Sequence, residues 1–276
     1  MQASTQSWKP PTGVLGRILA ETRERVRALE ARAAEIRRQA RAAESPPPFS
    51  AALWGEHLAV IAEIKRRSPS KGDINPRLAV DAQTHAYAAG GAAAISVLTE
   101  PHHFGGDLSD LARARECTRL PLLRKDFVID EVQIAEARAA GASAVLLIAR
   151  ALAREQLADL AAAAHGYGVE SLVEVRSEEE LDRALALPVM VIGVNSRDLE
   201  TLDIDRTISA RLLPLVPSDR LAVAESGITS AADAAELTRT GADAVLVGSA
   251  LSSREDPAAL VRELAALPRV GRARRR

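Results

Sequence analysis

Lysine is scarce in this chain, and two of its lysines lie where short apolar segments end. The sequence has 36 lysines and arginines together, and Lys9, Lys65, Lys71 and Lys125 are the lysines among them. Arginine supplies positive charge, but its guanidinium does not release a proton, whereas the ammonium of lysine does. Lys65 in VIAEIKRRSPSKG and Lys125 in LPLLRKDF therefore predict proton transfer at the ends of two strands.

Acidic and amide side chains follow other apolar segments in the same way. Glu63 precedes Lys65 by two residues, so the two side chains lie on one face of a strand. Charged groups in apolar surroundings must be paired or must change their pKa, and such groups gather where chemistry occurs. We therefore expect a catalytic cluster at the strand ends. Its candidate members are Glu63, Lys65, Thr99, Glu100, Lys125, Asp126, Glu174, Asn195, Arg197, Glu225 and Ser226.

Two pairs of small residues predict a phosphate site. Ser226-Gly227 follows LAVAE and Gly248-Ser249 follows DAVLV, in the last two apolar segments. Small residues leave backbone N–H groups open to an anion, and the loops after the seventh and eighth strands of an α/β barrel commonly bind phosphate. A single Ser-Gly step is usually an ordinary turn, but the two steps together indicate phosphate binding.

The apolar segments predict the fold that holds these residues. They are too short for helices, they alternate with alanine-rich helical stretches, and continuous apolar runs are typical of parallel strands buried on both faces. Eight such units predict an α/β protein, a (β/α)8 TIM barrel. The Gly-x-Gly-x-x-Gly pattern of a doubly wound dinucleotide fold does not follow the first run. The runs cover residues 58–64, 92–98, 120–123, 143–149, 170–175, 189–194, 221–225 and 243–248.

A helical segment precedes the barrel. Apolar residues recur every three or four positions from Leu15, so residues 13–43 are predicted to form one long amphipathic helix that begins at Thr12 as its cap. The proline run in ESPPPFS ends it; a coiled coil is the second interpretation. We divide the chain into an N-terminal helical extension (1–50), a catalytic barrel (51–268) and a basic C-terminal tail (269–276).

Composition excludes several classes of protein. The formal net charge of −1 argues against nucleic-acid or anionic-membrane binding, and the single Cys117 cannot form an intrachain disulfide. No apolar run approaches the roughly 20 residues of a membrane span, and the N-terminus lacks the features of a secretory signal. We expect a cytoplasmic protein, a monomer or weak homo-oligomer, that binds a small phosphorylated substrate but no nucleic acid and no membrane.

Seven motifs together resemble a known family. In order they are IAEIKRRSPSKG, VLTEP, LRKDF, LVEV, IGVNSRDL, AESGI and GADAVLVGSAL, and they extend over nearly the whole sequence. On these motifs the chain resembles the indole-3-glycerol phosphate synthase family. The resemblance implies a (β/α)8 fold with an extra N-terminal helical segment, and no metal or organic cofactor. The implied reaction is ring closure, decarboxylation and dehydration of 1-(2-carboxyphenylamino)-1-deoxyribulose 5-phosphate in tryptophan biosynthesis.

The resemblance also implies roles for single residues. Lys125 would protonate the substrate carbonyl, Lys65 would pair with the anthranilate carboxylate, and Glu63 would position Lys65. Glu174 or Lys65 would supply the acid for loss of the hydroxyl group, and the sequence leaves that choice open. The other implied residues are Asn195, Arg197 and Glu225 in the polar cluster, Ser68, Phe104, Phe127, Leu146 and Leu199 for substrate binding, and Ser226, Gly227, Gly248 and Ser249 for phosphate.

The chemistry of ring closure calls for an acid, whatever the family. A ketone oxygen that gains charge needs a proton, and a lysine acidified by a neighbouring positive charge suits that step. We therefore expect Lys65 and Lys125 to lie close enough to acidify one another.

Other interpretations are possible for the site, for an adjacent pair of histidines and for the C-terminal tail. A phosphoribosylanthranilate isomerase would want a Cys/Asp pair at strand ends one and five, which these strands do not supply, and a non-catalytic binding protein would not need the charged cluster. His102 and His103 are expected to be solvated loop residues and not metal ligands. The arginine-rich tail is expected to be frayed, with RNA or an acidic partner as the alternative.

Overall fold

The computed structural model describes residues 8–271, and within this range eight parallel strands close into a barrel. The strands are β1 (Ala59–Ile64), β2 (Arg67–Ser68), β3 (Gly72–Asp73), β4 (Ala94–Leu98), β5 (Leu122–Lys125), β6 (Ala144–Ile148), β7 (Glu170–Val175), β8 (Val191–Asn195), β9 (Leu221–Glu225) and β10 (Ala244–Val247). β2 and β3 form a short antiparallel hairpin, and the others run round the barrel in the order β1-β10-β9-β8-β7-β6-β5-β4. The predicted barrel is confirmed, and its strands are buried along almost their whole length.

Helices alternate with the barrel strands. They are α1 (Gly13–Glu30), α2 (Ala33–Ala42), α3 (Phe49–Ala52), α4 (Val80–Ala89), α5 (Pro101–Phe104), α6 (Leu108–Cys117), α7 (Glu131–Ala139), α8 (Arg154–Gly166), α9 (Glu178–Leu185), α10 (Thr207–Leu212), α11 (Ala231–Arg239), α12 (Ser249–Ser252) and α13 (Pro257–Ala265). Capping boxes at Asp107, Asp130 and Ser230 bond the first turns of α6, α7 and α11. Because these helix N-termini follow the strand C-termini, the caps fix loops around the mouth of the barrel.

The N-terminal segment is two helices, so the prediction of one helix over residues 13–43 is wrong. The chain turns at Ala31 and Arg32, where the Arg32 N–H donates to the Leu29 carbonyl at 2.9 Å. The apolar side of α1 packs into the barrel core, whereas Ile36 and Ala40 of α2 pack against α7. The helical spacing continues through the turn and therefore does not reveal that the helix breaks at Ala31 and Arg32.

Thr12 does not cap α1 through its side chain, contrary to the prediction. Its hydroxyl donates to Glu200 Oε2 at 2.9 Å, and Glu200 also pairs with Arg150 at 2.6 Å. Trp8 Nε1 donates to the Arg150 carbonyl at 3.2 Å. The residues before α1 are therefore tied to the loops that follow β6 and β8, at the same end of the barrel as the strand C-termini.

The opposite end of the barrel is closed by the segment that follows α13. Arg269 pairs with the buried Asp243 at 2.6 Å and stacks on Trp54, with 4.7 Å from the guanidinium carbon to the ring centroid. Arg269 is therefore packed, which corrects the expectation that the tail is frayed from this residue on. The arginines at 272 and 274–276 lie outside the described residues. Within residues 8–271, no helix has the length and apolar character needed to cross a membrane.

Candidate active site

One cavity opens at the C-terminal ends of the barrel strands. Its volume is about 550 Å³, and every site residue named from the sequence resemblance lines it. These residues are Lys65, Glu63, Lys125, Glu174, Asn195, Glu225, Arg197, Ser68, Phe104, Phe127, Leu146, Leu199, Ser226, Gly227, Gly248 and Ser249. Strands distant in sequence therefore bring the predicted set together in one place.

Lys125 lies at the centre of the charged groups. Its Nζ is 3.0 Å from Glu174 Oε2 and 3.1 Å from Glu225 Oε2, and all three side chains are nearly buried. The strands β5, β7 and β9 supply these groups, so the cluster depends on closure of the barrel. An ammonium between two carboxylates is a compact source of protons in a site sheltered from water.

The expectation that a second lysine acidifies Lys125 is wrong for the free protein. Burial works to lower the pKa of Lys125, but Glu174, Glu225 and Glu63 together outweigh burial, so the pKa is raised well above its ordinary value. Lys65 is itself paired, because Nζ is 2.8 Å from Glu63 Oε1. The carboxylates thus hold Lys125 fully charged until a substrate changes its surroundings.

Glu225 is a buried carboxyl group whose pKa is raised. Burial raises its pKa to about 8, with Lys125 opposing and Glu174 adding to the rise. Its Oε1 atom has no hydrogen-bond partner among the described residues. Gly193 on β8 makes room for this oxygen, since a Cβ at that position would lie 2.1 Å from Glu225 Oε1. The pKa of Glu225 is therefore raised even though the Lys125 ammonium lies 3.1 Å from its other oxygen.

The Glu63–Lys65 pair touches the loop that follows β10. The pair was predicted from strand alternation, and the 2.8 Å contact agrees. A Cβ at Gly248 would lie 2.1 Å from Glu63 Oε1 and 2.8 Å from Lys65 Nζ. Glycine at 248 is therefore needed for the backbone to approach the ion pair so closely.

The loop after β9 has an unusual backbone. Ser226 has φ 67° and Gly227 has φ 75°, so two successive residues adopt the left-handed conformation. That conformation costs free energy for serine and is tolerated where the surrounding structure requires it. Together with the start of α12, whose first N–H groups have no acceptor inside the helix, these residues edge the cavity with backbone donors.

Apolar side chains form another side of the cavity. The rings of Phe104 and Phe127 are 6.1 Å apart at an interplanar angle of 41°, and Leu146 and Leu199 line the same space. Tilted aromatic pairs at this distance attract one another and offer a surface for a further ring. The cavity is thus apolar on one side and bordered by the loops after β9 and β10 on another.

Asn195 and Arg197 connect the two regions. Asn195 Oδ1 accepts the Arg197 N–H at 2.9 Å, and the guanidinium donates to the Leu202 carbonyl at 2.6 Å. Burial lowers the pKa of Arg197, which still remains a cation at any physiological pH. The Arg197 side chain is therefore fixed at the cavity wall by its bond to the Leu202 carbonyl.

Three residues of the predicted cluster, Thr99, Glu100 and Asp126, bond to neighbouring loops and helices. Asp126 Oδ2 accepts the Thr99 hydroxyl at 2.7 Å, and Asp126 Oδ1 is 3.0 Å from Arg25 Nη2 on α1. Glu100 accepts the backbone N–H groups of the first turn of α5 and acts as its cap. Thr99, Glu100 and Asp126 thus organise the loops around the cavity, a distinction that the sequence pattern does not make.

His103 is partly exposed and also contacts α1. Its Nε2 lies 2.7 Å from Glu21 Oε2 on α1. Ligand-type atoms of Glu21, Glu100 and His103 lie within 4.8 Å of one another, but the Glu100 carboxylate is already used by the α5 cap. The group joins α1 to the loop after β4.

Sequence reasoning missed two kinds of site residue. Gly193, inside VMVIGV, leaves room for Glu225, and a glycine within an apolar strand is the signal that something approaches closely. Arg254 lines the cavity beside Ser249, in a polar SSRED stretch that gives no signal beyond that of a loop.

Comparisons with known proteins support a family assignment. The family model described as "Indole-3-glycerol phosphate synthase" matches residues 15–264. A protein named "Indole-3-glycerol phosphate synthase 2" from Streptomyces coelicolor is 48% identical over 255 residues, which cover 92% of this chain and 99% of that protein. An "Indole-3-glycerol phosphate synthase" from Nocardioides sp. is 52% identical over 205 residues, covering 74% of this chain and 79% of the relative.

Solved structures support the fold. The tryptophan synthase alpha chain of Legionella pneumophila superposes with a TM-score of 0.58 at 15% identity, covering 79% of this chain and 95% of that one. At such low identity the likeness concerns the barrel architecture and not the chemistry.

Proposed function

This chain belongs to the indole-3-glycerol phosphate synthase family, and from that premise we propose that the residues of its barrel-mouth cavity close the indole ring, with Lys125 as the general acid. The family resemblance carried by the sequence motifs is confirmed. The protein is an indole-3-glycerol phosphate synthase, a carboxy-lyase of tryptophan biosynthesis. Its reaction converts 1-(2-carboxyphenylamino)-1-deoxyribulose 5-phosphate into indole-3-glycerol phosphate with loss of carbon dioxide and water.

The observation that carries the assignment of roles is the buried cluster around Lys125. An ammonium 3.0 Å from Glu174 and 3.1 Å from Glu225, inside a cavity with an aromatic wall, has what acid catalysis on a carbonyl group requires. The Glu63–Lys65 pair stands at the same mouth and supplies a second ammonium. The reaction protonates two oxygen atoms, the ketone oxygen during ring closure and the hydroxyl oxygen during loss of water. Lys125 and Lys65 provide two acids for these steps in one sheltered cavity.

Ring closure is the first step. The ring carbon that bears the carboxylate attacks the ketone carbon, a carbon–carbon bond forms, and the carbonyl π electrons move to oxygen. Lys125 gives that oxygen a proton and becomes a neutral amine. The raised pKa of Lys125 does not prevent this transfer, because an alkoxide is much more basic than an amine. Glu174 and Glu225 keep the lysine protonated before each turnover.

Loss of carbon dioxide and water follows. The bond between the ring and the carboxylate breaks, and its electron pair restores the aromatic ring. The new hydroxyl group then leaves as water with a proton from an acid, and a base removes the proton that completes the indole. Glu174 and Lys65 both stand where they fit the acid's role, and Glu63 orients Lys65 through their 2.8 Å contact. The geometry favours neither over the other for this step.

The remaining cavity residues fit the two ends of the substrate. The aromatic ring packs against Phe104, Phe127, Leu146 and Leu199, as flat apolar surfaces suit it. Ser226, Gly227, Gly248 and Ser249 bind the phosphate through backbone N–H groups and hydroxyls, with Ser68 nearby. Asn195 and Arg197 hold polar groups between these ends.

The alternatives from the sequence fit less well. An isomerase needs a Cys/Asp acid–base pair at the ends of the first and fifth strands of the barrel, which are β1 and β7. These strand ends supply Glu63, Lys65 and Glu174 instead. A non-catalytic protein has no use for a buried ammonium held by two carboxylates, since such groups cost free energy to bury.

We extend the proposal to organisation and setting. Residues 1–50 serve as a helical extension and 51–268 as the catalytic unit, while 269–276 form a basic tail. The enzyme acts in the cytoplasm, as a monomer or weak homo-oligomer that does not bind nucleic acid. The near-zero net charge and the single Cys117 support this setting.

A turnover assay tests the proposal. The purified protein and its Lys125→Ala variant are incubated with 1-(2-carboxyphenylamino)-1-deoxyribulose 5-phosphate, and indole fluorescence is followed. We expect a signal from the wild type and a large loss in the variant. A folded wild type without signal overturns the function, and a variant as fast as the wild type removes Lys125 from the acid role.

A further inference from the structure

The buried side chain of Ser252 makes hydrogen bonds to the β1 backbone where a neighbouring strand would otherwise do so, beside the Glu63–Lys65 pair. Pairing between β1 and β10 ends at Ala62 and Val247. Beyond that point the Ser252 hydroxyl donates to the Glu63 carbonyl at 3.2 Å and accepts the Lys65 N–H at 3.3 Å. Ser252 is only 1% exposed. One side chain of α12 thus holds the backbone of both charged residues.

Ser252 also connects to the loop that follows β1. Its carbonyl accepts a hydrogen bond from Asn75 Nδ2 at 3.1 Å, and the Asn75 N–H donates to the Arg66 carbonyl at 2.9 Å. The Tyr87 hydroxyl donates to the Glu63 carbonyl at 2.9 Å from another side. The end of α12 is therefore the point at which the strand end and the loop after it are joined.

The beginning of α12 lies at the proposed phosphate subsite. Ser249 is its first residue, and Gly248 precedes it in contact with the Glu63 and Lys65 side chains. The Ser252 N–H donates to the Gly248 carbonyl at 2.9 Å, so one short turn spans the two places. Hydrogen bonds of this turn therefore connect the proposed phosphate subsite to the backbone of Lys65.

We propose that Ser252 is a positioning residue that couples an occupied phosphate subsite to the placement of Lys65. The inference rests on the proposed function, because the phosphate and the reacting carboxyphenyl group must belong to one substrate. Ser252 does not line the cavity, so it acts through the backbone of Glu63 and Lys65 and not on the substrate. Binding energy from the phosphate is thereby used at the reacting end of the molecule.

The test divides the substrate into two pieces. The phosphate-free ketone 1-(2-carboxyphenylamino)-1,5-dideoxyribulose is turned over with and without phosphite dianion, which occupies the phosphate subsite. In the wild type, phosphite should raise kcat/KM for this ketone. In Ser252→Ala, phosphite should bind with nearly unchanged affinity. The increase in kcat/KM that phosphite produces should be about tenfold smaller than in the wild type, which is the scale of one hydrogen bond. Ser252→Thr keeps a hydroxyl and should retain the acceleration.

Ser143 offers a matched control at the other end of the barrel. It is also a buried serine, and its hydroxyl accepts the Leu122 N–H at 3.2 Å. Ser143→Ala should lose a similar amount of stability, measured by thermal unfolding, without changing the phosphite acceleration. If Ser252→Ala does not fold, Ser252→Cys, which keeps the shape but is a weak donor, takes its place.

The outcomes separate this inference from the function on which it rests. A wild type that fails to convert the complete phosphorylated substrate overturns the proposed function. A wild type that converts it, but is not activated by phosphite, overturns the coupling alone. The coupling is also overturned if phosphite accelerates Ser252→Ala as much as the wild type. It is overturned likewise if Ser143→Ala loses as much of the phosphite acceleration as Ser252→Ala.

Discussion

At the scale of single residues, Lys125 shows that an acid need not have a lowered pKa. Nearby glutamates raise the pKa of Lys125, and the substrate oxygen becomes basic enough to take its proton only as the ring closes. What matters for the step is that the side chain has a proton to give. A guanidinium in the same place keeps the charge but not that ability.

Lys125→Arg should therefore bind substrate and turn it over very slowly. We expect kcat to fall by roughly 10²–10⁴-fold, the usual contribution of general acid catalysis, with a much smaller change in the dissociation constant. Stopped assays of indole formation and calorimetric titration of the substrate measure the two quantities. Lys9→Arg, at an exposed lysine, is the control and should behave like the wild type. Wild-type kcat in Lys125→Arg would show that electrostatics alone suffices.

Glu225 makes stability depend on pH. Its pKa is about 8 in the folded protein against 4.5 for an ordinary glutamate, so the folded state binds one more proton between these values. The stability from this proton is complete below pH 4.5 and is lost as the pH rises towards 8. Glu225→Gln should therefore gain stability relative to the wild type across this window, by at most about 1.4 kcal/mol per pH unit, and the gain should level off above pH 8.

Denaturant unfolding of both proteins at several pH values measures that difference. Glu155→Gln, an exposed replacement on α8, should show no trend. A difference between Glu225→Gln and the wild type that stays constant from pH 5 to 9 contradicts the raised pKa.

Sequence reasoning reached some of these residues and not their environment. The Glu63–Lys65 contact follows from the two-residue period of a strand, which is a local property. The partners of Lys125 come from β7 and β9, so which charges surround it depends on how the barrel closes. For this reason the sequence indicates which charged residues lie at the strand ends, whereas it does not reveal the direction of the Lys125 pKa shift.

At the scale of elements, α1 is attached to the strand that carries Lys125. Arg25 reaches Asp126 at 3.0 Å, and Asp126 also accepts the Phe127 N–H at 2.8 Å. Burial opposes ionisation of Asp126, but Arg124 and Arg25 outweigh it and lower its pKa to about 2. The stability from this carboxylate is therefore present above pH 3.8 and is lost as the pH falls towards 2.

Arg25→Ala should destabilise the protein by about 1–3 kcal/mol at pH 7, because a buried carboxylate loses one of its two arginines. The deficit should shrink as the pH approaches 2, where Asp126 takes up a proton. Chemical unfolding at pH 7 and at pH 3 or below gives both values. Arg23→Ala, an exposed arginine on the same helix, serves as the control. A deficit that is equal at all pH values places the cost in packing and not in the ion pair.

The loop after β10 is expected to bind phosphate, and a negative charge in it should oppose that binding. Ser249→Asp should raise KM by at least about tenfold, since two like charges a few ångströms apart repel even near a protein surface. Ser249→Asn has nearly the same size without the charge and isolates the electrostatic part. Steady-state kinetics of both variants measures KM, and equal values for the two would move the phosphate elsewhere in the cavity.

The elements themselves were mostly predictable from local pattern. Each of the eight buried barrel strands corresponds to a continuous apolar run in the sequence, so these strands could be predicted. The break between α1 and α2 was not predictable, because the apolar spacing runs through Ala31 and Arg32 without interruption. Likewise Thr12 has the right type for a cap, but the nearby Glu200 takes its hydroxyl bond.

At the scale of the whole molecule, the two ends of the barrel have different tasks. The strand C-termini carry the strained Ser226, the buried charges and the open cavity, all of which cost stability. The strand N-termini carry bonds that close the barrel, such as the Asp243 carboxylate accepting the Ala222 N–H at 2.8 Å. Residues at that end should contribute to stability and not to catalysis, as is general for this architecture.

Arg269→Ala tests this division at the end remote from the cavity. Arg269 neutralises Asp243, which is fully buried, and covers the ring of Trp54, so its loss leaves a buried carboxylate with fewer partners. We expect a loss of about 1–3 kcal/mol in the free energy of unfolding, with kcat and KM unchanged at temperatures where the variant is folded. Arg262→Ala, at an exposed arginine of α13 that lies 3.9 Å from Asp256 Oδ2, should change neither quantity. Among the described residues, the cavity lining includes neither Arg269 nor its partners Asp243 and Trp54. A fall in kcat without loss of stability would therefore mean that the two ends of the barrel are coupled.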